Sequence, residues 1–155
     1  MKRISVILII GLVLVACGEQ TEPLMPLDKG APNTVTLSNG EVVYKIDGEW
    51  NVATKVTKTF HGGEWENVYK ISQDGNKFVG IRLNDGVAGL KGTETIKGEL
   101  EKNGFKSVYV NAATIHSIEA KGWEPATGKI SENCNKIVAE TKVQGLNIKI
   151  ALKRK

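Results

Sequence analysis

Gly48-Glu49-Trp50-Asn51-Val52-Ala53-Thr54-Lys55-Val56-Thr57 is the stretch on which the fold turns. Trp50, Val52, Thr54 and Val56 occupy alternate positions, while Asn51, Lys55 and Thr57 fall between them. A period of two puts the first set on one face of a strand and the second on the other. Continued, the pattern adds Phe60 to the first face and Thr59 to the second. Ile148, Ile150 and Leu152 alternate in the same way with Lys149, Ala151 and Lys153, as do Val79, Ile81 and Leu83 with Gly80 and Arg82. Between such runs lie Ser38-Asn39-Gly40, Asp47-Gly48, Asp74-Gly75-Asn76, Asn84-Asp85-Gly86, Asn103-Gly104 and Gln144-Gly145. Asn-Gly and Asp-Gly pairs adopt the positive φ that tight hairpins need.

These signals predict an all-β chain, an antiparallel meandering β-barrel of about eight to ten short strands. Thr95–Lys102 has Ile96 and Leu100 four apart, a helical spacing, but Gly98 would weaken a helix by about 1 kcal/mol, which favours a strand. Ala112–Lys121, with Ile115 and Ile118 and then Gly122, reads equally as strand or as one short helix.

One internal repeat stands out. Trp65-Glu66 leads to Lys70-Ile71-Ser72-Gln73-Asp74-Gly75-Asn76-Lys77-Phe78-Val79, and Trp123-Glu124 leads to Lys129-Ile130-Ser131-Glu132-Asn133-Cys134-Asn135-Lys136-Ile137-Val138. Lysine to valine aligns without a gap; the tryptophan-to-lysine spacing differs by one residue. Each copy reads as a hairpin opened by a Trp-Glu pair, at quasi-symmetric places around a closed sheet. Cys134 stands where the first copy has Gly75, which predicts a positive-φ turn tip with an exposed thiol.

Ahead of this domain the chain has a different character. Lys2 and Arg3 precede an aliphatic run from Ile4 to Val15, shorter than the roughly 18 residues a membrane span needs, and the run ends in Leu14-Val15-Ala16-Cys17-Gly18. This ending resembles the lipobox of bacterial lipoproteins. The resemblance implies a signal peptide over 1–16, a diacylglyceryl group on the Cys17 sulfur, palmitate among the attached chains, and a location in the cell envelope outside the cytoplasm. Gly18 rather than Asp after the cysteine implies outer-membrane sorting if the host is Gram-negative. Residues 17–33 hold Pro23, Pro26 and Pro32 and read as a stiffened tether reaching up to roughly 50 Å, leaving 34–155 as a single domain.

Loss of Lys2 and Arg3 takes the 21 basic residues to 19 against 17 acidic ones, near +2. Lysines are scattered among strand residues rather than gathered in a phosphate-binding stripe, which argues against nucleic acid. The chemistry-bearing residues are sparse as well. His61 and His116 stand alone, so no metal site is expected. With Cys17 lipidated, Cys134 has no partner for an internal disulfide. Glu64 and Glu66, like Glu99 and Glu101, alternate as strand charges do. The glycines from Gly86 to Gly92 lack the order of a phosphate-binding loop. Neither an enzyme nor a cofactor is indicated.

Gly48-Glu49-Trp50 at the start of the first long strand, with Arg154 at the end of the last, resembles the lipocalin and wider calycin group. That resemblance implies that Gly48 and Trp50 form a barrel floor and that Arg154 packs across the indole. A barrel of about eight strands holds side chains or one small ligand. The sequence therefore points to a membrane-tethered binding protein for a small, partly apolar molecule, with Trp65, Trp123 and Tyr69 as candidate ligand contacts at the rim. The alternative is an envelope protein-interaction module, an enzyme inhibitor or assembly factor, working through its loops.

The lipobox generates the first test. Cys17→Ala is expected to leave an uncleaved precursor that takes up no palmitate analogue on metabolic labelling. Equal labelling of wild type and variant would rule the lipid out.

Overall fold

The computed structural model describes residues 33–57, 63–86, 89–111, 122–143 and 145–155. Ten strands run through them: β1 (Thr34–Thr36), β2 (Val42–Tyr44), β3 (Gly48–Thr57), β4 (Gly63–Asp74), β5 (Lys77–Arg82), β6 (Glu94–Glu101), β7 (Gly104–Asn111), β8 (Trp123–Ile130), β9 (Lys136–Val143) and β10 (Leu146–Arg154). Strands β3 to β10 form a closed antiparallel barrel in which each strand lies beside its neighbours in sequence. The ring shuts where β10 pairs with β3 from Asn147↔Thr57 to Arg154↔Trp50. The predicted meander is thus the observed one, and all of Thr95–Lys102 but Lys102 lies in β6. Ala112–Lys121 lies outside the described residues.

Alternation decides what fills the barrel. Trp50, Val52, Thr54 and Val56 of β3 point inward and are buried, as are Ile148, Ile150 and Leu152 of β10. In β5 the inward set is Phe78, Gly80 and Arg82, so Val79 and Ile81 face outward despite being apolar. Close packing requires the small residue: a Cβ on Gly80 would lie 2.6 Å from the Ile96 side chain. Gly98 and Gly128 likewise face in, where a Cβ would meet the Ser107 carbonyl or the Phe105 ring. The room they leave admits a tilted pair, Phe78 and Phe105, with ring centroids 5.4 Å apart.

One end of the barrel is stoppered by the chain itself. The turns at 75–76 and 102–103, the loop 131–135, the start of β3 and the end of β10 all lie there. Across them is laid the small sheet β1–β2, which the sequence reading had folded into the barrel count. Val43, Tyr44 and Ile46 are buried beneath it. The Gln73 side chain pins the segment, accepting from the Ile46 amide at 2.7 Å and donating to the Tyr44 carbonyl at 2.9 Å.

Trp50 is fully buried on this floor and donates its indole N–H to the Ile46 carbonyl at 3.0 Å. The Arg154 guanidinium lies 4.7 Å from the centre of its ring. All three guanidinium nitrogens donate to main-chain carbonyls: Nε to Cys134, Nη1 to Asp47 and Nη2 to Lys45. Gly48, at φ +123, is the turn residue over which this arginine passes, with Nη1 3.5 Å from where a Cβ would stand. The floor expected from Gly48, Trp50 and Arg154 is therefore the geometry found.

The two repeat copies are the β4–β5 and β8–β9 hairpins. They lie four strands apart in the ring of eight, on opposite sides of the barrel. Gly75 at φ 57 and Cys134 at φ 53 share the left-handed conformation. The turns differ in length, however. Asp74 pairs with Lys77 around two residues, whereas the Ser131 amide bonds to the Lys136 carbonyl around four.

Trp50→Ala removes the largest side chain of the floor, and as a large-to-small core change it is expected to cost about 3–5 kcal/mol. Urea unfolding of wild type and variant measures this as a lowered midpoint.

Candidate functional site

The other end of the barrel bears the connections β3–β4, β5–β6, β7–β8 and β9–β10. Its interior differs in chemistry from the floor. Among the described residues the buried polar or charged ones are Thr54, Asn67, Arg82 and Thr95, one from each of the four successive strands β3 to β6. Across the ring the buried residues of β7, β9 and β10 are apolar, Val108, Val110, Ala139, Val143, Ile148 and Ile150, while half-buried Thr141 of β9 and half-buried Glu124 of β8 are in step with them. The fully buried part of the upper interior is thus polar on β3 to β6 and apolar on β7, β9 and β10.

Trp65 belongs to the polar wall. It pairs with Thr54 and lies on the inner face of β4 with Asn67, Tyr69 and Ile71, yet it is only partly buried. Its ring passes over Gly63, where a Cβ would lie 2.7 Å from it, so the indole leans towards the loop-bearing end. Tyr69 is deeper and buried, paired with Trp50 on one side and Arg82 on the other.

Trp123 is elsewhere. The inward positions of β8 are those in step with buried Ile130, namely Gly128, Ala126 and Glu124, and Trp123 is out of step with them. Its ring lies on the outer wall with the Lys97 ammonium 4.1 Å from its centre. The expected equivalence with Trp65 fails for a simple reason. Trp65 precedes Ile71 by an even number of positions and Trp123 precedes Ile130 by an odd one, and a single residue reverses the face of a strand. Cation–π contact with Lys97 is what the outward ring gains.

Arg82 is the residue the sequence reading passed over. It ends β5 and is 1% exposed. Its Nη1 donates to the Gly89 carbonyl at 3.1 Å, and its guanidinium carbon lies 5.9 Å from the centre of the Tyr69 ring. Nε has no hydrogen-bond partner, nor has the buried amide nitrogen of Asn67. The ion pairs among the described residues are Lys106–Glu99, Lys149–Glu140 and Lys155–Glu49, so no carboxylate there answers this buried cation. Removing an ion from water without a partner is costly. Gly86 and Gly89 bond to each other through both amides and lie against the guanidinium. A Cβ on Gly86 would come within 3.0 Å of Asn67 Oδ1 and 3.3 Å of Arg82 Nη1, so glycine there lets the main chain close over both side chains. The signal available in sequence was the in-step placing of Arg82 with Phe78.

Cys134 corrects another expectation. It keeps the positive φ of a turn tip but is fully buried rather than exposed. Residues 33–46 lie over this turn: the thiol reaches the Asn33 carbonyl at 3.6 Å and the Asn33 amide donates to the Asn133 carbonyl at 3.2 Å. An intermolecular disulfide has no exposed sulfur to start from. Burial pushes the thiol up to about 11, against the Arg154 guanidinium and the Lys45 amide, which favour the thiolate. Burial also raises Tyr44, with Cys134 and Glu132 adding to it.

The remaining candidates are placed as follows. Glu64 and Glu66 are exposed on the outer face of β4, and Glu99 pairs with Lys106 at 3.1 Å. His61 and His116 lie outside the described residues, as does Cys17. Two open grooves run along the outer wall. The larger, about 1000 Å³, is floored in part by Ala53 and Ala151 and edged by Asn51, Glu66, Lys136 and Lys153. The sequence matches no protein-family model, and no curated protein matches it.

The thiol generates a pH test. An ordinary thiol titrates near 8.5, while the folded one holds its proton to about 11. Between those values the native state binds more protons than the unfolded one, so stability is complete below about 8.5 and falls as pH rises towards 11. Cys134→Ser is expected to flatten that alkaline decline, read as the urea midpoint against pH. At neutral pH the wild-type thiol is expected to react with a maleimide only on unfolding.

Proposed function

We propose that this chain is a lipid-anchored, extracytoplasmic binding protein that takes a small, partly apolar molecule into the loop-bearing end of its barrel. The observation that carries this reading is the contrast between the two ends. One is shut by Trp50, Arg154 and the β1–β2 segment, every guanidinium nitrogen of Arg154 being bonded. The other holds an inward but only partly buried indole, Trp65, above buried residues that are polar on β3–β6 and apolar on β7, β9 and β10. A two-sided interior suits a two-sided ligand. Apolar contact supplies affinity and a few placed polar groups supply orientation. Tyr69 bounds such a ligand from below, while Trp123, on the outside, has no part in it. Anchoring rests on the lipobox, and the 17–33 tether sets the barrel clear of the lipid surface.

A second reading keeps one observation of its own. The outer groove over Ala53 and Ala151 runs along β10, β3 and β4, where small side chains lower the wall. A partner protein of the envelope would dock there rather than through the loops.

Native mass spectrometry of the full chain, purified from its own membranes, separates the two readings. A co-purifying small molecule supports the interior site, and a stoichiometric protein partner supports the groove. With the neutral fluorophore N-phenylnaphthylamine as probe, Trp65→Ala is expected to weaken binding by about tenfold, close to 1.4 kcal/mol. Trp123→Ala is expected to leave binding unchanged, because its ring faces out. Equal losses in the two variants would remove the interior site from consideration.

A further inference from the structure

We infer that the interior site receives an anionic head, a carboxylate or phosphate, of a ligand whose apolar remainder lies against Val143, Ile148 and Ile150 of β9 and β10. This rests on the proposed interior site and names its chemistry. Arg82 is buried to 1% and Asn67 to 5%, and each holds a donor without a partner, Nε of one and the amide nitrogen of the other. Both side chains converge on Gly86, whose Cβ position is 3.0 Å from Asn67 Oδ1 and 3.3 Å from Arg82 Nη1. The guanidinium is already oriented, held by the Gly89 carbonyl and by the Tyr69 face.

A buried cation with unspent donors is an acceptor's site. A neutral acceptor would satisfy the hydrogen bonds and leave the charge; an anion satisfies both. Thr54 and Trp65, next along the same wall, leave the head flanked by one further hydroxyl and one aromatic face. The contrast with Arg154 is instructive. That arginine also packs on an aromatic ring, but each of its three nitrogens already donates to a main-chain carbonyl.

Octanoate and octanol share a chain and differ in the head, and acetate has the head without the chain. Calorimetric titration of the full chain in phosphatidylcholine nanodiscs is expected to show octanoate bound at least tenfold more tightly than octanol, with acetate far weaker than either. Arg82→Met is expected to erase the preference while octanol binding persists. Asn67→Asp supplies a carboxylate to Arg82 from within and is expected to erase it too, which keeps the test sound should Arg82→Met fold poorly. Octanoate and octanol bound equally by the wild type would overturn the anionic head and leave the interior site standing. No binding of either would overturn the interior site itself. Acetate matching octanoate would overturn the amphiphile in favour of a free anion. Glu119 is the one acidic residue in the internal segments outside the described residues. If the preference appears only in Glu119→Gln, the cation is already neutralised by the chain and the inference fails.

Discussion

The rest of the molecule depends on the Arg154 guanidinium laid across Trp50. A meander is an open sheet until its last strand meets its first, and an open sheet exposes two edges that invite pairing with other chains. Here the seam is β10 against β3, and Arg154 is the last residue of that seam. Its three hydrogen bonds run to the segment before β3 and to the loop before β9, joining positions 20, 107 and 109 residues away. One side chain therefore ties together the barrel closure, the β1–β2 stopper and the turn that carries Cys134. Its half-buried charge is met by carbonyl dipoles, and the ring of Trp50 adds a cation–π attraction of about 0.5–2 kcal/mol.

That clamp is also the start of a row. Arg154 pairs with Trp50, Trp50 with Tyr69 and Tyr69 with Arg82, across β10, β3, β4 and β5. Strands tilt in a closed barrel, so a row of paired residues climbs as it passes round the wall. It begins at the stoppered floor and ends at the last residue of β5, beside the loops. Two arginines thus stand on two aromatic rings at different heights, each under main chain that glycine allows to come close. At the floor every guanidinium nitrogen has a partner. At the upper end the bonding is incomplete, and a group that folding alone leaves short of partners is a group with capacity for something else.

Much of this was legible in the sequence, and the parts that were not share a cause. The two-residue period of Trp50–Val56 and Ile148–Leu152 reports burial directly, so strands and their order followed from it. The packing of Arg154 across Trp50 was an expectation of the resemblance carried by Gly48-Glu49-Trp50, not of the strand period. Trp123 was misplaced because similarity of residue type across the repeat hid a change of parity. Cys134 was misjudged because a turn tip is exposed only if nothing covers it, and the covering segment at 33–46 is remote in sequence. Arg82 was overlooked for a related reason. Hydrophobicity alone assigns Val79 and Ile81 to the interior, but Gly80 is needed inside where Ile96 approaches, and that fixes Arg82 inside with it.

The placing of polarity within the barrel then bears on why such an arginine persists. Replacing buried ionic groups by apolar ones of similar volume is often neutral or stabilising, and the opposite wall shows that this barrel is well able to use valine and isoleucine inside. Thr95 is satisfied by the Gly80 carbonyl at 3.1 Å and costs little. Arg82 and Asn67 are not satisfied, and they adjoin the one inward tryptophan that is not fully buried. Local violations of otherwise consistent packing collect where a protein does something besides fold. In this chain such a violation sits at the glycine-bridged end of β5, whereas at the other end Arg154 leaves none of its nitrogens without a partner.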